Sequence, residues 1–568
     1  MQFRNRVLHV LLLLTIGAFF SSILAQKWPE YAHKGVVSSA QKIASQIGVD
    51  ILKQGGNAVD AAVATGFAKA VVYPAAGNIG GGGFMVIRMA DGTTAGIDYR
   101  EKAPAAAHEK MYLDEEGKLV RNLNHEGYLA VGVPGTVAGF VVALKKFGTM
   151  SLAEVIQPAI DLAEKGFPVT FGLHRDFSYL KKSFSRYPAS VKAIYKEDGS
   201  VYQPGEIWVQ KDLAETLKRI RDKGHDGFYK GTTAKLMEKA MKANGGMITA
   251  KDMGEYQAVV RDLVEFDYRG YTIHSMYPPS SGGITMAMTM NQLEKFDLAA
   301  AGHNSARYVH LVAEAMRRSF SQRAKYLGDP DFNPDMPIAK LISQKNGDEL
   351  AATINETKAT RSSAESFVWA NESEETTHYS VVDAAGNMVS NTYTLEYWYG
   401  SKIVLDGAGF IMNNEMGDFN PWPGHTDSTG LIGTDPNLVR PGKRMLSSMT
   451  PSIVTKDGKN MMAIGSPGGR TIINTVTQCI LNVIDFDMNI FEAVNAPRFH
   501  HQWLPDYIYP EKAAFSADTE KLLIEMGHRV NHRRNTIGRA NGVMIDLETG
   551  WRSGAADPRA PDGGAVGY

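Results

Sequence analysis

The chain has 568 residues, 60 basic and 61 acidic side chains, a net charge of −1, and 44% hydrophobic against 21% charged residues. This is the composition of a globular protein that can bury one large core or several smaller ones, and its charge balance excludes an evident nucleic-acid or anionic-membrane partner in favour of a small molecule. The lone Cys479 excludes an internal disulfide and reads as a buried small hydrophobe, so stability must come from packing.

In chain order, Arg4 and Arg6 precede a largely apolar stretch at 7–20 and the small-residue run 21–25, the pattern of a secretory signal cut after Ala25. The apolar stretch is short for a membrane span and no cysteine follows Ala25 for lipid attachment. A periplasmic or extracellular protein without stable membrane insertion is expected; an uncleaved signal anchor is the alternative.

Apolar periodicity predicts helices over 38–53, 58–71 and 152–165. Another carries Val309, Val312, Ala313, Met316 and Phe320 on one face, capped by Ser305 and stopped by Gly328. Strands are expected over 84–87 and 93–97. Ser39-Ala40-Gln41-Lys42 fits a Ser-x-x-Lys motif, but its companion motifs are absent and an exposed helix start is the better reading. Gly80 to Gly83 lack the Gly-Lys-Ser/Thr of a phosphate loop and signify crowded backbone. No internal repeat is present.

Residues 355–375 are almost wholly polar or small, a solvated segment that ends at Glu375-Thr376. Beyond it, 379–382 and 388–394 are β-rich runs around the turn Asp383-Ala384-Ala385-Gly386-Asn387. A hairpin centred on Ala385 places Thr376 opposite Thr394, with Glu396 on the same face. A threonine hydroxyl is a weak nucleophile until a base stands beside it, and cleavage between Glu375 and Thr376 would supply one as the residue's own α-amine, with a pKa of about 7.7 to 8.0. The competing reading is that Thr376-Thr377 merely opens a strand.

Farther on, Ser447-Ser448 precede a strand at 452–455, a turn at Asp457-Gly458 and a strand at 461–464. The second strand leads through Gly465-Ser466-Pro467-Gly468-Gly469-Arg470 into an amphipathic helix at 471–484. Glycines at such a junction let N–H groups converge on developing negative charge, or simply satisfy a tight turn. His500-His501 have no metal-ligand companions and read as structural. Strand alternation keeps His378 from the Thr376 hydroxyl.

Taken together, Thr376-Thr377-His378-Tyr379-Ser380-Val381-Val382-Asp383, Leu446-Ser447-Ser448-Met449 and Gly465-Ser466-Pro467-Gly468-Gly469 resemble the signatures of the γ-glutamyltransferase (γ-glutamyltranspeptidase) family. The runs 56–62, 77–84, 132–139, 497–503 and 556–559 resemble it as well, in family order. The resemblance implies that Thr376 is the nucleophile of both self-cleavage and turnover, that Thr394 tunes its hydroxyl, and that Gly468 and Gly469 offer oxyanion N–H donors. It implies that Arg100, Ser447 and Ser448 hold the α-carboxylate of a γ-glutamyl group, and that Glu396, Glu415 and Asp418 take its ammonium. Well-known bacterial members have Asn and Gln where this chain has Glu396 and Glu415. The turn-rich run 420–430 resembles the family's lid, with Thr429 where others carry tyrosine.

The implied fold is α+β, the four-layer αββα sandwich of the N-terminal-nucleophile hydrolases, built from both halves of a self-cleaved precursor. The expected parts are a signal at 1–25, a large subunit at 26–375 and a small subunit at 376–568, joined as a heterodimer. The implied substrates are glutathione or another γ-glutamyl compound as donor and water, an amino acid or a peptide as acceptor, with no metal or organic cofactor. Two alternatives remain at this point: a cephalosporin or glutaryl acylase of the same superfamily, and an unprocessed, non-catalytic binding relative.

Overall fold

The computed structural model describes residues 28–362, 376–425, 433–532 and 536–568. The signal-like segment, Glu375 and Thr429 lie outside them. Two seven-stranded sheets, antiparallel throughout, form the centre. In spatial order the first is Gly564–Gly567, Val36–Ser39, Thr377–Val382, Met388–Thr394, Gly82–Arg88, Thr94–Asp98 and Val259–Arg261. The second is Glu30–Ala32, Arg552–Ala556, Asn541–Ile545, Lys459–Gly465, Ser452–Lys456, Tyr271–Met276 and Leu263–Tyr268. Each sheet interleaves strands from before and after Thr376.

Strand alternation divides the apolar side chains between two cores. Val37, Met85, Ile87, Val381 and Val389 point into the layer beneath helix Ala58–Val72. Their chain neighbours Val36, Phe84, Val86, Val382 and Met388 point the other way, toward the second sheet, whose Ile453 and Val543 face them. Burial of each such side chain contributes about 1.5–3 kcal/mol. Hydroxyls tie the sheets together: Ser38 donates to the Ala555 carbonyl at 2.7 Å and Ser390 to that of Ile464 at 2.9 Å. Helix Ala58–Val72 covers the central hairpin of the first sheet. Helices Gly282–Leu293 and Thr471–Phe486 cover the second, with Ala306–Tyr326 packed on Gly282–Leu293. The order is helix, sheet, sheet, helix.

The hairpin has the expected register. Thr377 pairs with Tyr393 and Val382 with Met388, centring the turn on Ala385. Asp383 anchors that turn, its carboxylate accepting from the Asn387 N–H and from the Ala58 N–H, each at 2.9 Å. The hairpin is thereby locked to the start of the helix that covers it.

The helix expected at 38–53 begins at Lys42, because Val36–Ser39 is a strand and Gln41 caps the helix. Ser39 is correspondingly buried in the sheet and is not an exposed helix start. The helices of 171–255, the hairpin 263–276 and the C-terminal strands have no counterpart in the sequence reading.

Gly80 to Gly83 are as crowded as their composition suggests. A Cβ on Gly81 would meet the Thr394 carbonyl, and one on Gly83 the Thr392 carbonyl. Gly81→Ala is expected to lower folding stability by about 1–3 kcal/mol, because it forces the strand away from the hairpin; the urea unfolding midpoint checks this.

Candidate active site

Thr376 lies immediately before its strand, buried, with its Oγ1 3.4 Å from Thr394 Oγ1. Thr394 Oγ1 accepts the Glu396 N–H at 2.9 Å, and its carbonyl accepts from Asn78 Nδ2 at 2.9 Å. Asn78 is fixed in turn by Thr136 Oγ1 at 2.8 Å and by the Gly81 N–H at 2.9 Å. To make its bond, Glu396 adopts φ 77°, a left-handed conformation that costs a non-glycine residue about 1–3 kcal/mol and here turns its side chain into the cavity.

Arg100 follows strand Thr94–Asp98 and is fully buried. Its guanidinium pairs with Glu415 and Asp418, lies 3.6 Å from Glu101, and donates to the carbonyls of Met445 and Leu446 at 3.3 Å each. Burial opposes its charge, but Glu415, Asp418 and Glu101 outweigh that cost and hold its pKa above the ordinary value. Burial pushes Glu101 up to about 8 and raises Glu415 well above the usual carboxylate range, despite Arg100 beside both. One guanidinium cannot balance so many buried carboxylates, so Arg100 stays charged while burial favours the protonated forms of Glu101 and Glu415.

Ser447 and Ser448 sit in a cradle made by residues 279–281. The Ser447 N–H donates to the Pro279 carbonyl at 2.9 Å, and Ser281 Oγ donates to the Ser447 carbonyl at 2.6 Å. Ser448 Oγ accepts from Arg323 at 2.9 Å. Gly468 and Gly469, at φ 131° and 53°, form the turn into helix Thr471–Phe486, whose first N–H groups return to their carbonyls. Both need glycine, since only glycine occupies such angles at little cost.

One small cavity is lined by Arg100, Thr376, Thr394, Glu396, Glu415, Asp418, Ser447, Ser448 and Gly469, together with Met449 and Ile472. The separate sequence signals thus meet at one place, with Gly468 adjoining it. Of the expected cleavage pair, only Thr376 is among the described residues. A larger cavity of about 390 Å³ lies behind Asn78 and Leu395, on the far side of the strand end, and holds none of these groups. Size therefore does not mark the site; the convergence of charge and hydroxyls does.

His378 bonds Thr392 Oγ1 at 2.8 Å and Ser380 Oγ at 2.9 Å, away from the Thr376 hydroxyl, and burial holds its pKa well below the ordinary value. His500 is held by Asn474 and Gln502, and His501 by Asp506, the structural use expected of them. Arg323 was not anticipated, although its position extends the apolar stripe of Val309, Val312, Met316 and Phe320, and a charge on a buried face is itself a signal. Asn437 was also missed: it accepts the Leu446 N–H at 2.8 Å and donates to the Asp418 carbonyl at 2.7 Å. No local sequence pattern marks it.

The four-layer sandwich and this cavity define an N-terminal-nucleophile hydrolase fold with a polar small-molecule site. The solved structure of a cephalosporin acylase from Bacillus halodurans matches it with a TM-score of 0.83 at 26% identity, over 96% of this chain and 97% of that one. The model of the family described as Gamma-glutamyltranspeptidase matches residues 44–567, and the chain belongs to that family. It is 46% identical over 561 residues to a glutathione hydrolase proenzyme of Pseudomonas sp. (strain A14), covering 97% of both chains. It is 46% identical over 542 residues to one from Escherichia coli (strain K12), covering 95% of this chain and 93% of the other.

The raised Glu101 carboxyl has a consequence for stability. Its unfolded value is about 4.5 and its folded value about 8, so the native state holds the extra proton between them and this group's contribution falls as pH rises across that window. Urea unfolding at pH 5 and pH 8 should show Glu101→Gln losing at least about 1 kcal/mol less than the parent over this interval.

Proposed function

We propose that this chain is an autoprocessed γ-glutamyltransferase and glutathione hydrolase whose Thr376 takes the γ-glutamyl group from glutathione or a related compound and passes it to water, an amino acid or a peptide. Thr376 Oγ first attacks the Glu375 carbonyl carbon, the peptide bond becomes an ester, and water hydrolyses it. The products are a large subunit, 26–375, and a small one, 376–568, held together by the interleaved sheets. The freed α-amine then accepts the Oγ proton as Oγ attacks the γ-amide carbon of the donor. That proton leaves with the departing amine, and the acceptor cleaves the resulting ester.

The observation that carries the reading is the charge pattern beside the nucleophile. Arg100 is already covered by carboxylates, so a ligand bearing only a carboxylate would compete with Glu415 and Asp418 and leave them without a counter-ion. A ligand carrying both an α-carboxylate and an α-ammonium gives Arg100 a new carboxylate partner and gives the displaced carboxylates a cation. Ser447 and Ser448 add hydroxyl donors on the carboxylate side, and the Gly468-Gly469 turn is suited to the tetrahedral oxyanion, a class of contact in which each donor is typically worth about 3 to 4 kcal/mol. No role in this scheme calls for a metal or an organic cofactor.

The likeness to a cephalosporin acylase keeps a neighbouring chemistry in view, but at 26% identity it stands well behind the glutathione hydrolase proenzymes at 46%. Release of p-nitroaniline from γ-glutamyl-p-nitroanilide, measured beside the glutaryl analogue, separates the two; turnover of the glutaryl compound alone contradicts the proposal. Thr376→Ala is expected to run as one chain on denaturing electrophoresis and to lose at least about 10³-fold in kcat. Continued splitting at that bond would remove Thr376 from the role of nucleophile.

A further inference from the structure

His125 stands beside the catalytic cavity and belongs to none of the motifs that mark it. Its Nδ1 lies 2.9 Å from Glu396 Oε1. Its ring stacks on Tyr397, with centroids 4.9 Å apart and planes at 8°. Its carbonyl accepts from Asn414 Nδ2 at 3.2 Å. Gly417 makes the space, since a Cβ there would run into both the imidazole and the Glu396 carboxylate. Tyr397 and the turn 414–417 thus shape the place where this imidazole meets one carboxylate.

The charges around it decide what the contact does. Burial pushes His125 down to about 4; Asp418 and Glu126 pull the other way, and Lys402 adds to the lowering. The ring is therefore neutral at pH 7. The approach to Glu396 is close, yet the ring N–H is not aligned for a linear hydrogen bond. A neutral dipole orients a carboxylate without cancelling its charge, whereas Lys or Arg at this position would consume it.

We propose that His125 is a positioning residue for donor specificity: it fixes Glu396 at the cavity wall so that this carboxylate, with Asp418, takes the α-ammonium of the donor. The inference rests on the γ-glutamyl reading of the cavity. It places the effect of His125 in affinity for ligands that carry an ammonium, and leaves the attack by Thr376 untouched.

The test compares His125→Phe, which keeps the stack on Tyr397 but offers no N–H, with His125→Asn, whose amide reaches the place of Nδ1. With γ-glutamyl-p-nitroanilide, His125→Phe is expected to raise KM about tenfold with kcat within about twofold, and His125→Asn to restore KM to within about threefold. As competitive inhibitors, glutamate should weaken about tenfold in His125→Phe while glutarate, which lacks the ammonium, is unchanged. Adding His125→Phe to Glu396→Gln should cost no more than Glu396→Gln alone. An unchanged KM in His125→Phe, equal weakening of glutamate and glutarate, or simple additivity with Glu396→Gln would each overturn the inference while leaving the γ-glutamyl reading intact. A parent enzyme unable to turn over γ-glutamyl-p-nitroanilide would remove both.

Discussion

The antiparallel pairing of Thr377–Val382 with Met388–Thr394 is the constraint on which the rest of the molecule depends. It lies in the middle of a sheet, flanked by Val36–Ser39 and Gly82–Arg88, and apolar cores cover both its faces. A slip of one residue would exchange Val381 with Val382 between those cores and carry Thr376 away from Thr394. Every buried pair along the hairpin therefore helps to hold the hydroxyl in place. The glycine run and Asn78 translate that register into the wall of the cavity, because they let neighbouring backbone close on Thr394 and pin its carbonyl.

Electrostatics gives the same cavity its chemical character. A single guanidinium, fully out of water, faces more carboxylate than it can neutralise. Such an arrangement is costly for folding and is weak support for stability. On the proposed function it is an unfinished ion network that a zwitterionic donor would complete, with the left-handed backbone of Glu396 as a further cost at the same spot. In that reading the buried arginine, the acidic groups around it and two serines would recognise the donor within one strand end of Thr376.

Much of this was legible in the chain because the responsible signals are local. The turn at Asp383 to Asn387 and the alternation on either side fix a hairpin centre, and from that centre the Thr376 to Thr394 juxtaposition follows by counting. The glycines of 80–83 and 468–469 likewise declare crowding and unusual backbone angles wherever they occur. What escaped depends on distant partners. Arg323 reaches Ser448 across 125 positions, and His125 meets Glu396 only because Tyr397, Asn414 and Gly417 shape a place for it. The start of the first long helix was misjudged for a related reason: polar Ser38 and Ser39 look solvent-facing, yet the strand they occupy is buried between neighbours that satisfy their hydroxyls. Aligned motifs of a family could bring Arg100, Asp418 and the serines to notice, whereas the carboxylate imbalance among them needed coordinates.

The central claim is that an internal peptide bond gives way to create the catalytic amine. N-terminal sequencing of purified protein at full specific activity on γ-glutamyl-p-nitroanilide tests it most directly. The account requires a chain beginning Thr-Thr-His-Tyr-Ser in equal molar amount to the second chain; full activity from material in which that terminus is absent would contradict it.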